Sequence, residues 1–246
     1  MTRPRIICHM HTLLNGKVDG IANITSVGMR SQKIYFDLFL GEDRYYQKHR
    51  GWLSGSGTSE VIMGGPRDVN LAAPTEPVPA GDFLADPDAE LLYFAVDNSG
   101  KLLWDRNSFD YFDVKAHIVE LIPDGVSDAF KAHLRSMGVS YLIAGDERLD
   151  MALAVEKIGE IFNMDELILG GGPNLNWSMI RAGLCDELSL LLMPTADAQN
   201  HTNSLFESHE TYSSPAPVEF QLKAAQPQED GSVWLRYDVV GVIEDD

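Results

Sequence analysis

The sequence predicts a mixed α/β domain: a mostly parallel central sheet flanked by helices, with a C-terminal antiparallel hairpin. Three observations carry this expectation. From Glu90 to Pro194, apolar runs of strand length alternate with amphipathic stretches of helical length, as in successive βαβ crossovers. Those strand runs are continuously apolar rather than alternating, as expected of strands buried on both faces. After Val218, VEFQLKAAQ and VWLRYDVVGVI flank the turn-rich PQEDGS, a hairpin pattern. A chain of 246 residues with 44% hydrophobic content can bury one large core, so a single domain over 1–246 is expected.

In chain order, RIICHM (Arg5 to Met10) reads as the first strand, followed by the loop LLNGKVDG. Between Arg30 and Gly51, Tyr35, Leu38 and Phe39 have helical spacing, interrupted by Gly41. SEVIMGG reads as a short strand ending in two glycines. The proline-rich stretch from Pro66 to Pro87 reads as an extended surface loop. ELLYFAVD is a strand, DNSGK a turn and AHIVELI a strand; VSDAFKAHLRSMG is a helix stopped by Gly138. VSYLIAG, ELILGGG and ELSLLLMP are further strands. LDMALAVEKIGEIFNM and the stretch after Pro173 are the helices between them.

A formal net charge of −18 without any basic run argues against nucleic acid as a partner, because backbone binding rests on clustered Lys and Arg. No apolar run is long enough for a membrane span, and the N-terminus lacks a secretory pattern. Cys8 and Cys185 each sit in an apolar segment and read as packed thiols of a reducing compartment. The expectation is a cytoplasmic protein. Any anion site must be built from local backbone N–H groups and a few placed cations.

The stretch LILGGGPNLNWSMIRAGLCDELSLLLMP, Leu167 to Pro194, holds the clearest candidate. Its strand ends at Gly170-Gly171-Gly172, and Pro173 suits the first helical position. Gly172 is then the N-cap, and amides from Asn174 onward point out of the helix start unpaired. Such an arrangement binds pyrophosphate at the carboxyl edge of a sheet; it also serves as a tight turn. The pattern is neither G-x-G-x-x-G nor a P-loop. VIMGGP (Val61 to Pro66) and YLIAG (ending at Gly145) read as two more strands that stop on glycine. Three such ends suggest a sheet edge kept low for a long ligand such as a dinucleotide.

With these residues in view, the run from Gly138 to Pro194 resembles the C-terminal reductase domain of the bacterial deaminase–reductase family of riboflavin biosynthesis, which has the dihydrofolate-reductase-like fold. HMHTLLNGKVDG is similar to that family's S-x-D-G-K strand-and-loop motif, and VIMGGPRD to its glycine–arginine cofactor loop. The resemblance implies an NADPH-dependent reductase, a homodimer, that converts a ribosylamino group on a phosphorylated pyrimidine to ribitylamino by hydride transfer. It implies that Gly171, Gly172, Pro173, Asn174 and Leu175 face the cofactor's pyrophosphate, with Gly64, Gly65, Arg67 and Gly145 as further cofactor contacts. Lys17 and Asn15 would be the catalytic pair of the loop that covers the small-molecule substrate, and Asn176 a substrate contact. No H-x-E with P-C-x-x-C occurs, so the deaminase half is absent. The chain departs from the family in three places. Gly170 stands where it has glutamate, Leu13 and Asn15 where it has serine and aspartate, and Gly64-Gly65-Pro66-Arg67 where it often has G-R-x-T. A different heterocyclic or carbonyl substrate, or a non-catalytic nucleotide-binding relative, are the alternatives.

Several residues have two readings. Asn176 either bonds a ligand or caps the helix start. Arg67 and Arg148 either take a 2′-phosphate or are surface arginines. Asn15 cannot transfer a proton at neutral pH, so water or another group must do so. His9 and His11 share a strand face but lack a third ligand, so they read as packed histidines and no metal is expected. Asp186 and Glu187 read as structural caps.

Overall fold

The computed structural model describes residues 3–68, 70–111 and 114–243. β1 (Arg5–Thr12) is followed by a short 3-10 turn and α1 (Ser26–Asp37), whose start is capped by the Thr25 hydroxyl accepting from Gly28 N. β2 (His49–Gly55) runs directly into α2 (Ser56–Ile62). β3 (Leu92–Val96), β4 (Ser108–Tyr111) and β5 (Val114–Ile122) precede α3 (Asp128–Met137), which Ser127 caps and Gly138 ends in the left-handed conformation. β6 (Ser140–Ile143) leads to α4 (Met151–Phe162), capped by Asp150 and ended by left-handed Asn163. Then come β7 (Glu166–Leu169), α5 (Pro173–Arg181), β8 (Glu187–Leu192), β9 (Val218–Pro227) and β10 (Val233–Val242). The mixed α/β class and the C-terminal hairpin are as the sequence predicts.

Two expectations are corrected. The helix expected over Arg30 to Gly51 is confined to α1, and its last residues belong to β2. VIMGG is no strand but the end of α2. Gly64 N donates to Val61 O (3.1 Å) and Gly65 N to Glu60 O (2.8 Å), and both glycines have positive φ. This pair of bonds is the Schellman helix end, which satisfies carbonyls that the last turn leaves open.

The elements form two compact units, one built on His49–Leu167, the other on Arg5–Lys48 plus the chain from Ile168 onward. In the first, β5, β3 and β2 pair in parallel, β6 pairs in parallel with β5, and β4 pairs antiparallel to it. Every residue of β3 is buried, which explains its continuously apolar sequence. The fully buried carboxylate of Asp97 ends this strand. It accepts from Ser99 N, Gly100 N, Lys101 N and Leu102 N at 2.7–3.0 Å, so the DNSGK turn is fixed by one side chain. Ser54, Ala95 and Glu120 lie side by side across β2, β3 and β5.

In the second unit β1 pairs in parallel with β8, and β10 pairs antiparallel to both β8 and β9. His9 is buried. Its Nε2 donates to Tyr35 O (2.9 Å), so Nδ1 is the acceptor for the Ser189 hydroxyl (2.9 Å); both nitrogens are used in packing. Ser189 Oγ also accepts from Trp234 Nε1 at 2.8 Å. Glu187 ties three segments together. Tyr46 donates to its Oε1 (2.7 Å), and Lys223 (2.9 Å) and Arg5 reach its Oε2. Burial alone would push this carboxyl up; the bonds from Lys223 and Tyr46 and the charge of Arg5 outweigh it and hold the group below the usual carboxylate range. Cys8 and Cys185 are buried free thiols. No described helix is long and apolar enough to cross a membrane.

Glu120 supplies a test of the first unit's packing. It is fully buried, and desolvation, followed by the charge of Asp97, pushes its carboxyl well above the ordinary 4.5. The folded chain therefore keeps this proton where the unfolded chain has lost it. The group's contribution to stability is complete below about pH 4.5 and is lost as pH rises toward the folded value. Glu120→Gln should match the parent in urea denaturation at pH 4 and exceed it at pH 8. A difference that does not grow with pH would contradict this assignment.

Candidate functional site

The second unit holds the glycine-rich helix start. After β7 the chain passes through Gly170 and Gly171, which has φ +99°, to Gly172, the N-cap of α5, with Pro173 at the first helical position. The N-cap glycine supplies no side-chain bond to this first turn, so its first N–H groups and the positive end of the helix dipole lie at the same end of α5. A Cβ at Gly171 would meet only the Met10 side chain, at 3.5 Å. Backbone conformation rather than crowding therefore requires glycine there.

Asn176 is fully buried. Its backbone N–H donates to Gly172 O (2.9 Å), but neither polar atom of its side-chain amide has a hydrogen-bond partner among the described residues. The capping reading is thus removed. A buried amide without partners costs about 1–3 kcal/mol, which a ligand's polar group would relieve.

The loop after β1 lies in the same unit. Leu13 N donates to Lys17 O and Gly16 N to Leu13 O, both at 2.9 Å, closing a tight turn with Gly16 at φ +76°. Leu13, where the family has serine, is fully buried against Ala22 and Met193 and anchors the loop. Asn15 is exposed at the tip. Lys17 is half-buried, and its ammonium donates to Thr202 O (2.8 Å) and Ser204 Oγ (3.2 Å). His11 is the last residue but one of the strand that leads into this loop. Burial lowers its pKa to about 4, against the opposing pull of Asp19, so the ring is neutral at physiological pH.

The strap 195–207, which follows β8, connects these parts. Leu14 N donates to Thr195 O (2.8 Å), Val18 N to Asn203 O (3.0 Å) and Leu205 N to Gly16 O (3.2 Å). Further along, Glu207 N donates to Pro173 O at 3.4 Å. One segment thus touches both the Lys17 loop and the start of α5. No local pattern in the sequence marks Thr202, Ser204 or Glu207; only the pairing of their neighbours brings them here.

In the first unit the candidate residues have local explanations. Gly64 and Gly65 form the end of α2, with open space where their side chains would be. Arg67 donates to Leu103 O (2.9 Å) and Asp105 Oδ2 (2.7 Å), pinning that helix end to the loop between β3 and β4. Gly145 has φ +88°, and a Cβ there would lie 2.2 Å from Arg148 O, so its own turn demands glycine. Arg148 is exposed. Sequence reasoning missed the junction Gly55-Ser56-Gly57-Thr58. There a parallel strand enters α2 without a side-chain cap, and Gly57 opens on empty space. The G-S-G-T run was the available signal. No cluster of three metal-ligating side chains occurs among the described residues.

No curated protein matches the sequence. Residues 120–234 match the RibD C-terminal domain. A pyrimidine reductase-like protein from Corynebacterium diphtheriae is similar in structure, with a TM-score of 0.60 and 15% identity over 98% of this chain and 93% of that one. The riboflavin biosynthesis reductase Rib7 of Saccharomyces cerevisiae has a TM-score of 0.56 and 15% identity over 97% and 90% of the two chains. Acinetobacter baumannii RibD has a TM-score of 0.58 and 14% identity; 97% of this chain is covered but only 58% of RibD. The chain is thus similar in sequence, over residues 120–234, to the RibD C-terminal domain, and similar in fold, over almost its whole length, to these three proteins.

Proposed function

We propose that the chain is an NADPH-dependent reductase that acts on 5-amino-6-(5-phosphoribosylamino)uracil or a close relative. The observation that carries this reading is the uncapped, glycine-lined start of α5 within the matched span. Its backbone N–H groups suit a pyrophosphate, and the unpartnered amide of Asn176 beside it fits a polar ligand. When bound, NADPH supplies the hydride that converts the ring-opened ribosylamino carbon to ribitylamino.

The chain's own residues hold and orient the reactants. Gly171 and Gly172 let the pyrophosphate approach the backbone, and the N–H groups of Asn174 and Leu175 donate to it. Lys17 offers a cation to the substrate's phosphate or hydroxyls. Asn15 orients by hydrogen bonding and transfers no proton, so water supplies the proton that accompanies the hydride. Gly64, Gly65, Arg67 and Gly145, expected as cofactor contacts from the resemblance, belong to the first unit and take no part in this site; the preference for NADPH is proposed from the resemblance. We take 1–246 as one reductase domain, because the second unit is built from two segments that flank the first in sequence, and as a cytoplasmic homodimer, whose buried thiols suit a reducing compartment.

Leu13 favours a second reading. Leucine has no hydroxyl to offer a ligand, and this side chain is sequestered in the core, so a different heterocyclic or carbonyl substrate becomes the alternative within the same class. Turnover of the named pyrimidine with NADPH separates the two. Binding of NADPH without consumption across a carbonyl and pyrimidine panel would indicate a non-catalytic relative.

Two variants test the assignment. Gly172 has φ −78°, a value open to any residue, and an aspartate at this N-cap position would cap α5 itself, adding a few tenths of a kcal/mol of stability. Its charge would repel the pyrophosphate. Gly172→Asp should unfold no earlier than the parent yet bind NADPH at least about tenfold more weakly, a loss of ~1.4 kcal/mol; retained affinity would refute the pyrophosphate site. Lys17→Met should raise KM for the pyrimidine about tenfold or more, as expected for loss of a charge-assisted bond, with NADPH affinity unchanged. An unaltered KM would remove Lys17 from the substrate site.

A further inference from the structure

Lys17 is held in an unusual way for this chain. Lys33, Lys101, Lys131, Lys157 and Lys223 each contact a carboxylate. Lys17 instead donates to a backbone carbonyl and a hydroxyl, with no ion pair to it among the described residues. Neutral acceptors fix an ammonium without cancelling its charge, so its field stays available to an anion. A free lysine side chain carries about 2 kcal/mol of rotamer entropy, part of which this tether removes before any ligand arrives.

The tether is itself secured. Ser204 N donates to Glu207 Oε1 (2.8 Å), which fixes the backbone that carries the hydroxyl. Lys17 and Ser204 form an antiparallel bridge, with Val18 N to Asn203 O and Leu205 N to Gly16 O on either side. Glu207 N then reaches Pro173 O at the start of α5. We propose that the segment 202–207 is a positioning strap. Ser204 and the Thr202 carbonyl aim the Lys17 ammonium, and Glu207 keeps that aim in register with the helix start. The inference rests on the reading of Lys17 as the substrate's cation; Ser204 acts through Lys17 and is a positioning residue.

The test uses the full chain with Ser204→Ala and Ser204→Thr and has two separate readouts. The first is the rate at which sulfosuccinimidyl acetate acetylates Lys17, followed by mass spectrometry with exposed Lys33 as internal reference. Ser204→Ala should raise the Lys17 rate about threefold or more against Lys33, because loss of one of its two acceptors frees the side chain and opens its nitrogen to the reagent, and Ser204→Thr should restore it. The second is steady-state turnover of 5-amino-6-(5-phosphoribosylamino)uracil with NADPH. Ser204→Ala should raise KM severalfold while the NADPH Kd stays fixed, again with rescue by threonine. An unchanged Lys17 rate overturns the tether whatever the chain catalyses. A released Lys17 with unchanged KM overturns the positioning role. If the parent shows no turnover, the functional reading fails, and with it the catalytic purpose of the strap, while the acetylation rates still decide the tether.

Discussion

The parallel pairing of β1 with β8 is the constraint on which the candidate site depends. The register runs from Ile7 opposite Glu187 to Thr12 opposite Leu192. Parallel strands end at the same edge, so whatever follows them must emerge side by side. Here the Lys17 loop follows β1 and the strap 195–207 follows β8. Met193 N donates to Thr12 O (2.8 Å), which continues the pairing beyond the strands, and Leu14 N then meets Thr195 O. Two segments nearly two hundred residues apart in sequence are thereby knitted into one surface. At the opposite end of the pair, Glu187 gathers Tyr46, Lys223 and Arg5 and fixes the strands against their neighbours.

The glycines that the sequence singles out fall into distinct physical classes. Gly64 and Gly65 serve a helix end, and Gly145 serves a turn that would otherwise collide with its own backbone. Their identity is explained by local conformation, with or without a ligand. Gly172 differs. It has an extended conformation open to other residues, heads a helix of nine residues, and leaves the first turn without a side-chain cap. Serine, aspartate or asparagine at that position would satisfy an N–H group. Glycine leaves those donors for something else, and the unpartnered amide of Asn176 in the same helix adds a further unmet polar group.

Much of the fold was legible because local signals agreed with tertiary burial. Gly138 ends α3 as the sequence indicates, and β3 reads as a continuously apolar, doubly covered strand. β2 and α2 were misread for a physical reason. HRGWLSG begins with polar residues that tertiary structure nevertheless buries in part, and V-I-M before two glycines fits a strand end as well as a Schellman helix end. The site was legible at Gly171, Gly172 and Pro173, where backbone chemistry and sequence coincide. It was not legible at Thr202, Ser204 and Glu207, whose roles arise from which strands pair rather than from any motif. Asn176 lay between these cases: its position was apparent, but only burial separated ligand contact from capping.

The central claim is that the open start of α5 receives the pyrophosphate of NADPH. The most direct measurement is a titration of the 15N-labelled chain with NADP+, following the backbone amides of Asn174 and Leu175. Saturable shifts of both amides, lost when nicotinamide mononucleotide replaces the dinucleotide at equal concentration, are the result this account predicts. Amides that stay in place while NADP+ binds elsewhere, or no binding at millimolar NADP+, would contradict it.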